Sequence, residues 1–393
     1  MQTHGRSVRM MRKTFPLAVI SLSAFCTVGC GGSSTTTVTP TSTDPSSAMG
    51  GSGATSPDPG AGSPSPNPNP APNPNPGPTG SGGSAGGGGS GGNPGPTPAG
   101  DFAWTVEPSG RTEPVSAIWG SSAGDVWAVG GHGVIHSTGD GSWATVHEDA
   151  NEEYQAVLGV DGWIFVGGLS CSGGLCDGGL VLASSDGGKT WAKQTIGSGV
   201  NSFAAVGATV YADSGDIYAS NDHFATTTTI PLGWAVSYGV FADAGAVYAY
   251  GGLRGSQIRR TTDDGKTWTT VYSGFSGSKS GYMNGIARAG TTMLALANGC
   301  SVPACVGAIF RSVDGGTSWV QTAQPQDWVV GIWPTSDSEL YIGGTTLMRS
   351  RDAGATFEKV ALPVDKTILA VWGASANELY AVGGDGTILH GKR

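Results

Sequence analysis

Seven short apolar runs recur along the chain from residue 117 onward: AIWG (117–120), AVLG (156–159), AAVG (204–207), GVFA (239–242), GIAR (285–288), GIWP (331–334) and AVWG (370–373). Each is followed by a second run, alternating or wholly apolar: VWAVG from Val126, WIFVGG from Trp163, VYA from Val210, VYAYGG from Val247, MLALA from Met293, LYIGG from Leu340 and LYAVGG from Leu379. Runs this short, rich in β-branched and aromatic residues, predict strands. No stretch keeps a 3.6-residue apolar period, so helices should be nearly absent.

Between these strand pairs a turn segment repeats. SSDGGKTW ends at Trp191, TTDDGKTW at Trp268, SVDGGTSW at Trp319 and SRDAGATF at Phe357, with a shortened copy, STGDGSW, at Trp143 and an eroded one, SNDHFAT, at Thr226. Asp-Gly and Gly-Gly let the chain take positive φ in a tight hairpin, and a short Asp side chain accepts hydrogen bonds from its own turn. The aromatic that follows starts a strand and can fill the space between sheets. Asp140, Asp186, Asp222, Asp263, Asp314 and Asp352 are therefore read as structural, not catalytic. Their spacing of 36 to 51 residues matches one four-stranded blade per repeat.

These segments resemble Asp-box (BNR) repeats, found in sialidases, sortilin-type receptors and photosystem II stability factors, all of them β-propellers. The resemblance to photosystem II stability factors extends over most of residues 102–393 at the level of repeat and blade number. WGSSAGDVWAVGGHGVIHS and WGASANELYAVGGDGTILHG further resemble a pattern of exported bacterial propellers. The expectation is an all-β fold: a single seven-bladed propeller of four-stranded blades over 101–393. The last repeat stops at GTILHGKR, before its outer strand, whereas FAWTV near residue 102 resembles SWATV and TWTTV. Strand 102–107 is thus expected to complete the seventh blade and close the ring.

The first hundred residues have a different character. Arg6, Arg9, Arg12 and Lys13 precede a short apolar core, Phe15 to Phe25, a pattern of export signals too short to span a bilayer. Thr27-Val28-Gly29-Cys30 resembles the lipobox of bacterial lipoproteins, with Thr27 where Leu is usual. It implies a signal peptide of residues 1–29 and diacylation of Cys30, enough for stable anchoring. Gly31, in place of Asp, favours outer-membrane sorting, so the expected location is the outer membrane or cell surface of a bacterium. Residues 31–100 contain no Lys, Arg or aromatic residue. They cannot bury a core, and 30–100 is expected to be a disordered tether reaching ~45 Å.

Four of the 20 basic and two of the 29 acidic residues precede Asp101, leaving 16 and 27, a net charge of −11. Nucleic acid is a poor partner for such a surface. Cys171 with Cys176 and Cys300 with Cys305 occupy the same place in their repeats and predict two local disulfides in an exported protein. No metal or cofactor is expected. His132 and His136 would sit ~13 Å apart on a strand, too far to share an ion, and His136 matches His390 in the repeat.

No segment resembles the FRIP element of sialidases, and Arg260, Arg311 and Arg349 fall beside the box turns. Glu152, Glu153, Asp161 and Asp327 are candidate carboxylates for a propeller-type glycoside hydrolase on polysaccharide. An enzymatic role is left open, and binding is favoured over catalysis. Tyr154, Trp234, Tyr282 and Trp328 enter their first strands near the central mouth, on the face that would also carry Arg254 and both cysteine loops. Aromatics around a concave mouth suit a protein or glycan partner. The reading is a monomeric, lipid-anchored interaction module.

Overall fold

The computed structural model describes residues 100–393, except Gly174, 234–236, Ala244, 253–255, 275–280, 302–303 and Gln326, and except the side chains of Cys300, Ser301, Ala304 and Cys305. Signal, lipobox and tether lie outside the described residues. All described residues belong to one compact unit, Pro96–Arg393.

The unit is all-β, and its strands fall into antiparallel sets of four. Set I is Ala117–Ser122, Asp125–Gly130, Gly133–Ser137 and Ala144–Glu148; set II is Glu152–Val160, Trp163–Ser172, Leu175–Ser184 and Ala192–Thr195. Set III is Ser202–Val206, Thr209–Ser214, Asp216–Ser220 and Thr228–Ile230; set IV is Ser237–Asp243, Ala246–Gly251, Gln257–Thr261 and Thr269–Ser273. Set V is Gly281–Ala289, Thr292–Ser301, Ala304–Ser312 and Val320–Ala323; set VI is Val329–Pro334, Leu340–Gly344, Met348–Ser350 and Glu358–Lys359. Set VII takes Ile368–Ser375, Glu378–Gly383 and Thr387–Lys392 from the end of the chain and Ala103–Pro108 from the start of the unit. The ladders of sets VI and VII are joined by a single pair, Gly344 opposite Ile368.

The first strand of each set packs against that of the next, and the first strand of set VII packs against that of set I, so the contacts run in a closed cycle. The closing strand is one residue later than the sequence suggested. Ala103 pairs with Lys392 and Pro108 with Thr387. Phe102 is left out of the ladder, buried edge-on against Tyr341, with ring centroids 5.6 Å apart. Arg393 fastens the same corner: its guanidinium lies 3.9 Å over the Phe102 ring and bonds Glu339 and Tyr341.

Seven buried apolar clusters fill the spaces between successive sets. Each contains one large residue from the start of a second strand, the third residue in six sets and the second in set VI: Trp127, Phe165, Tyr211, Tyr248, Leu294, Tyr341 and Tyr380. Burying such a side chain contributes roughly 2–3 kcal/mol. Several of them meet the box turn of the next set. A Cβ at Gly188 would stand 2.9 Å from Trp127, and one at Gly316 2.7 Å from Tyr248. Gly188 and Gly316 also have φ of 80° and 77°, so glycine is required there twice over. In the eroded turn Phe224 takes the glycine position despite φ of 67° and fills the space itself, against Phe165 and Phe203.

Candidate functional site

Alternating strand direction puts the second-to-third strand hairpins and the links between sets on one face, here the mouth face. The box turns lie on the other. There Asp186 Oδ1 accepts from the backbone N–H groups of Lys189 and Thr190 and from Ser184 Oγ, while Oδ2 accepts from Thr190 Oγ1. The cage repeats at Asp222 (with Ser220 and Thr226), Asp263 (Thr261 and Thr267), Asp314 (Ser312 and Ser318) and Asp352 (Ser350 and Thr356). Asp140 keeps only the contacts to Ser142. Donors surrounding the charged form lower the carboxyls, to about 2 at Asp186 and Asp263. Beside the turns, Arg349 is held by Asp101 and Glu358, Arg311 by Thr292 and Arg260 by Tyr248.

On the mouth face, pairing with the second strands fixes which first-strand residues correspond. Tyr154 lies opposite Gly168, Met283 opposite Ala297 and Val329 opposite Gly344. These glycines and the alanine hold the same place in their runs, so the preceding residues, Glu153, Tyr282 and Trp328, share one register position. All three are half-buried, whereas Tyr154, Met283 and Val329 are buried.

Tyr154 itself is buried, one residue along the strand from that position. A one-residue difference in register moves a strand side chain to the opposite face, and its hydroxyl donates to Glu152 beneath the surface, 2.6 Å away. Glu153 takes the position assigned to it. Trp234 and Arg254 lie outside the described residues. Tyr238 was missed; a bulge between Ser237 and Gly239 turns it toward Tyr282, with ring centroids 5.4 Å apart. No periodicity announces such a bulge. Trp328 is steadied from behind: Val329 donates its N–H to Asn298 Oδ1, and its carbonyl accepts from the amides of Asn298 and Asn284.

The candidate carboxylates do not converge as a group. Glu152 is buried beneath Lys193, Tyr154 and His147. Asp161 sits in the turn at the far end of the strand, ~26 Å from Glu153 at the strand rise per residue, well beyond the 5–9.5 Å that glycosidases use. Glu153 and Asp327 remain on the mouth face, but set II and the link from set V to set VI are not neighbours. His136 and His390 serve the framework. His136 bonds Asp125, which also accepts from Trp127; His390 lies between Glu107 and Glu378 and stacks on Tyr380.

Cys171 and Cys176 form a disulfide across the second-to-third strand hairpin of set II. Cys300 and Cys305 face each other in the matching hairpin of set V, and their side chains lie outside the described residues. One further carboxylate is unusual. Asp213 is fully buried at the mouth end of set III, where it accepts from Asn201 and leaves Oδ1 without a hydrogen bond among the described residues. Burial raises its pKa to about 6, against the lowering effect of Ser237 and Asn201.

No protein-family model matches the chain, and neither does any curated protein. Solved structures do match in fold. YCF48 bound to D1 peptide aligns with a TM-score of 0.58 at 14% identity over 76% of this chain and 98% of its own. The WD40 β-propeller domain of Doa1 aligns at 0.57 and 12%, over 74% and 97%. The GH74 xyloglucanase from Xanthomonas campestris aligns at 0.56 and 13%, over 73% of this chain and 53% of the enzyme. The shared property is the β-propeller fold.

Proposed function

We propose that the chain is a seven-bladed propeller acting as an interaction module, with the mouth face as its contact surface and a protein or glycan as its partner. The carrying observation is the register position shared by Glu153, Tyr282 and Trp328, supplemented by Tyr238. Half-buried aromatics held by a rigid sheet offer flat apolar area that loses little entropy on binding, and a carboxylate among them adds a hydrogen-bond acceptor. A peptide is bound in the YCF48 structure, which is consistent with this use of a propeller. For the hydrolase alternative, Glu152 is buried beneath Lys193, and Asp161 lies at the far end of the strand from Glu153. The export signal and lipobox read in the sequence make the setting a bacterial cell surface, with the propeller monomeric on its tether.

The test is a peptide-array and glycan-array screen with the full-length protein, run beside a reducing-sugar release assay. Tyr282→Ala and Trp328→Ala should each weaken binding of any identified partner by roughly 5- to 100-fold, the usual range for a buried aromatic contact, with an unchanged far-UV spectrum. Undiminished affinity in both variants would remove the mouth face from the proposal. Sugar release would replace binding by catalysis.

A further inference from the structure

We propose that Cys171, Cys176 and Glu153 become, once their disulfide is opened, a three-ligand site for a soft divalent cation of the zinc class. One ligand atom from each residue lies within 4.8 Å of the others. Cys176 is exposed and Cys171 and Glu153 are half-buried, so both a reductant and a metal ion can reach them.

The carboxylate is the informative member. Glu153 Oε1 stands 3.9 Å from Cys176 Sγ, but a disulfide sulfur has no proton to donate. The contact is therefore not a hydrogen bond, and no other polar partner of this side chain occurs among the described residues. Its position is nonetheless fixed. Glu153 lies opposite Leu169 in the ladder, and its carbonyl oxygen approaches Gly168 so closely that a Cβ there would be 1.8 Å away. Cys171 in turn lies opposite Cys176 on the third strand, so all three strands that carry the ligands are paired in the sheet, and only side-chain torsions have to change.

The chemistry balances with an external dithiol. The dithiol transfers two electrons and two protons, the Cys171–Cys176 bond breaks, two S–H bonds form and the reagent closes to a cyclic disulfide. A divalent ion then displaces both thiol protons. With metal–sulfur bonds near 2.3 Å and metal–oxygen bonds near 2.0–2.2 Å, the sulfurs separate to roughly 3.7 Å around a tetrahedral ion. Two thiolates and a carboxylate carry three negative charges, which repel one another without a cation. Three protein ligands leave a fourth position open, as in zinc sites that accept a further ligand.

Set V supplies an internal control. Cys300 and Cys305 pair in the same register, but Tyr282 stands there at the position of Glu153. Among the described side chains, set V therefore carries a phenol and not a carboxylate at the position of the third ligand.

The experiment uses full-length protein with Cys26, Cys30, Cys300 and Cys305 replaced by Ser, reduced by a phosphine without oxygen and titrated with Co(II) alone. One equivalent should bind with a near-ultraviolet thiolate-to-cobalt band, and far-UV circular dichroism should keep its β signature. Glu153→Gln should weaken binding at least about tenfold. The converse protein, with Cys26, Cys30, Cys171 and Cys176 replaced, should show no band at the same concentrations. The proposal is overturned by any of four results: no thiolate band, equal affinity in Glu153→Gln, comparable binding by the set V pair, or loss of the sheet on reduction.

Discussion

Replacing Asp213 by Asn should make the protein more stable at neutral pH and leave its stability at pH 4 comparatively unchanged by the missing charge. The carboxyl is fully buried, and burial lifts its pKa from 3.8 to about 6. A carboxyl raised in the folded state costs nothing below pH 3.8, where both states are protonated. Its penalty grows between pH 3.8 and 6 and is complete above 6, because the folded protein must then hold an unsolvated charge. A shift of about two units corresponds to about 3 kcal/mol. For a unit of roughly 300 residues this is a rise of about 4 °C in Tm. Asn keeps the shape and can still accept from the Asn201 amide on one side. Its new N–H group, at the place of the unbonded Oδ1, carries a cost that does not vary with pH. The pH dependence of the difference is therefore the diagnostic quantity. Denaturant unfolding of both proteins at intervals from pH 4 to 8 measures it. A difference that stays constant across that range would refute the argument, because Asp213 would then be charged without penalty.

The box aspartates act in the opposite sense. Asp186 and Asp263, lowered to about 2 by their cages, contribute stability that is complete above pH 3.8 and lost as pH falls through 2. Tryptophan fluorescence during acid titration should show cooperative unfolding in that window, shifted to higher pH in Asp263→Asn. Above that window, Asp213→Asn should remove the loss of stability that the buried carboxyl causes between pH 3.8 and 6. Gly316→Ala should destabilise by several kcal/mol, since its Cβ would meet Tyr248 at 2.7 Å at φ of 77°. Gly162→Ala, with φ of 80° but open space around it, should cost only about 1–2 kcal/mol of backbone strain. Denaturant midpoints compare the two, and equal losses would show that the aromatic does not constrain the turn.

Much of the fold is written in the chain because its signals are local. Val126-Trp127-Ala128-Val129 and its six counterparts alternate or run apolar over strand length, and Asp-Gly turns carry their own hydrogen-bond chemistry. The closing strand was legible only by similarity to other fourth strands, which is why its bounds were displaced by one residue. The candidate site was less legible. Whether Glu153 or Tyr154 faces the mouth depends on which residue meets Gly168 across the ladder, a non-local fact that apolar patterning leaves free. Tyr238 depends on a bulge in the strand that carries it. The burial of Asp213 depends on set IV packing over set III, and Asp213 itself sits in YADSGD, which reads as an ordinary polar strand end.

The junction of Ala103–Pro108 with Thr387–Lys392 shapes how the protein reaches its native state. Thr105 and His390, bonded across it, are 285 residues apart, whereas the other neighbouring strands of each set are joined by short connections. Bringing ends so distant together costs about 3–4 kcal/mol more than closing a five-residue turn, and the cost falls due before the contact forms. Sets I to VI can condense hairpin by hairpin as the chain becomes available, but the seventh cannot. Until it does, Thr387–Lys392 presents an unpaired edge, and the cycle stays open at one joint. The architecture thus concentrates its contact order, and its exposure to misassembly before completion, in a single late event.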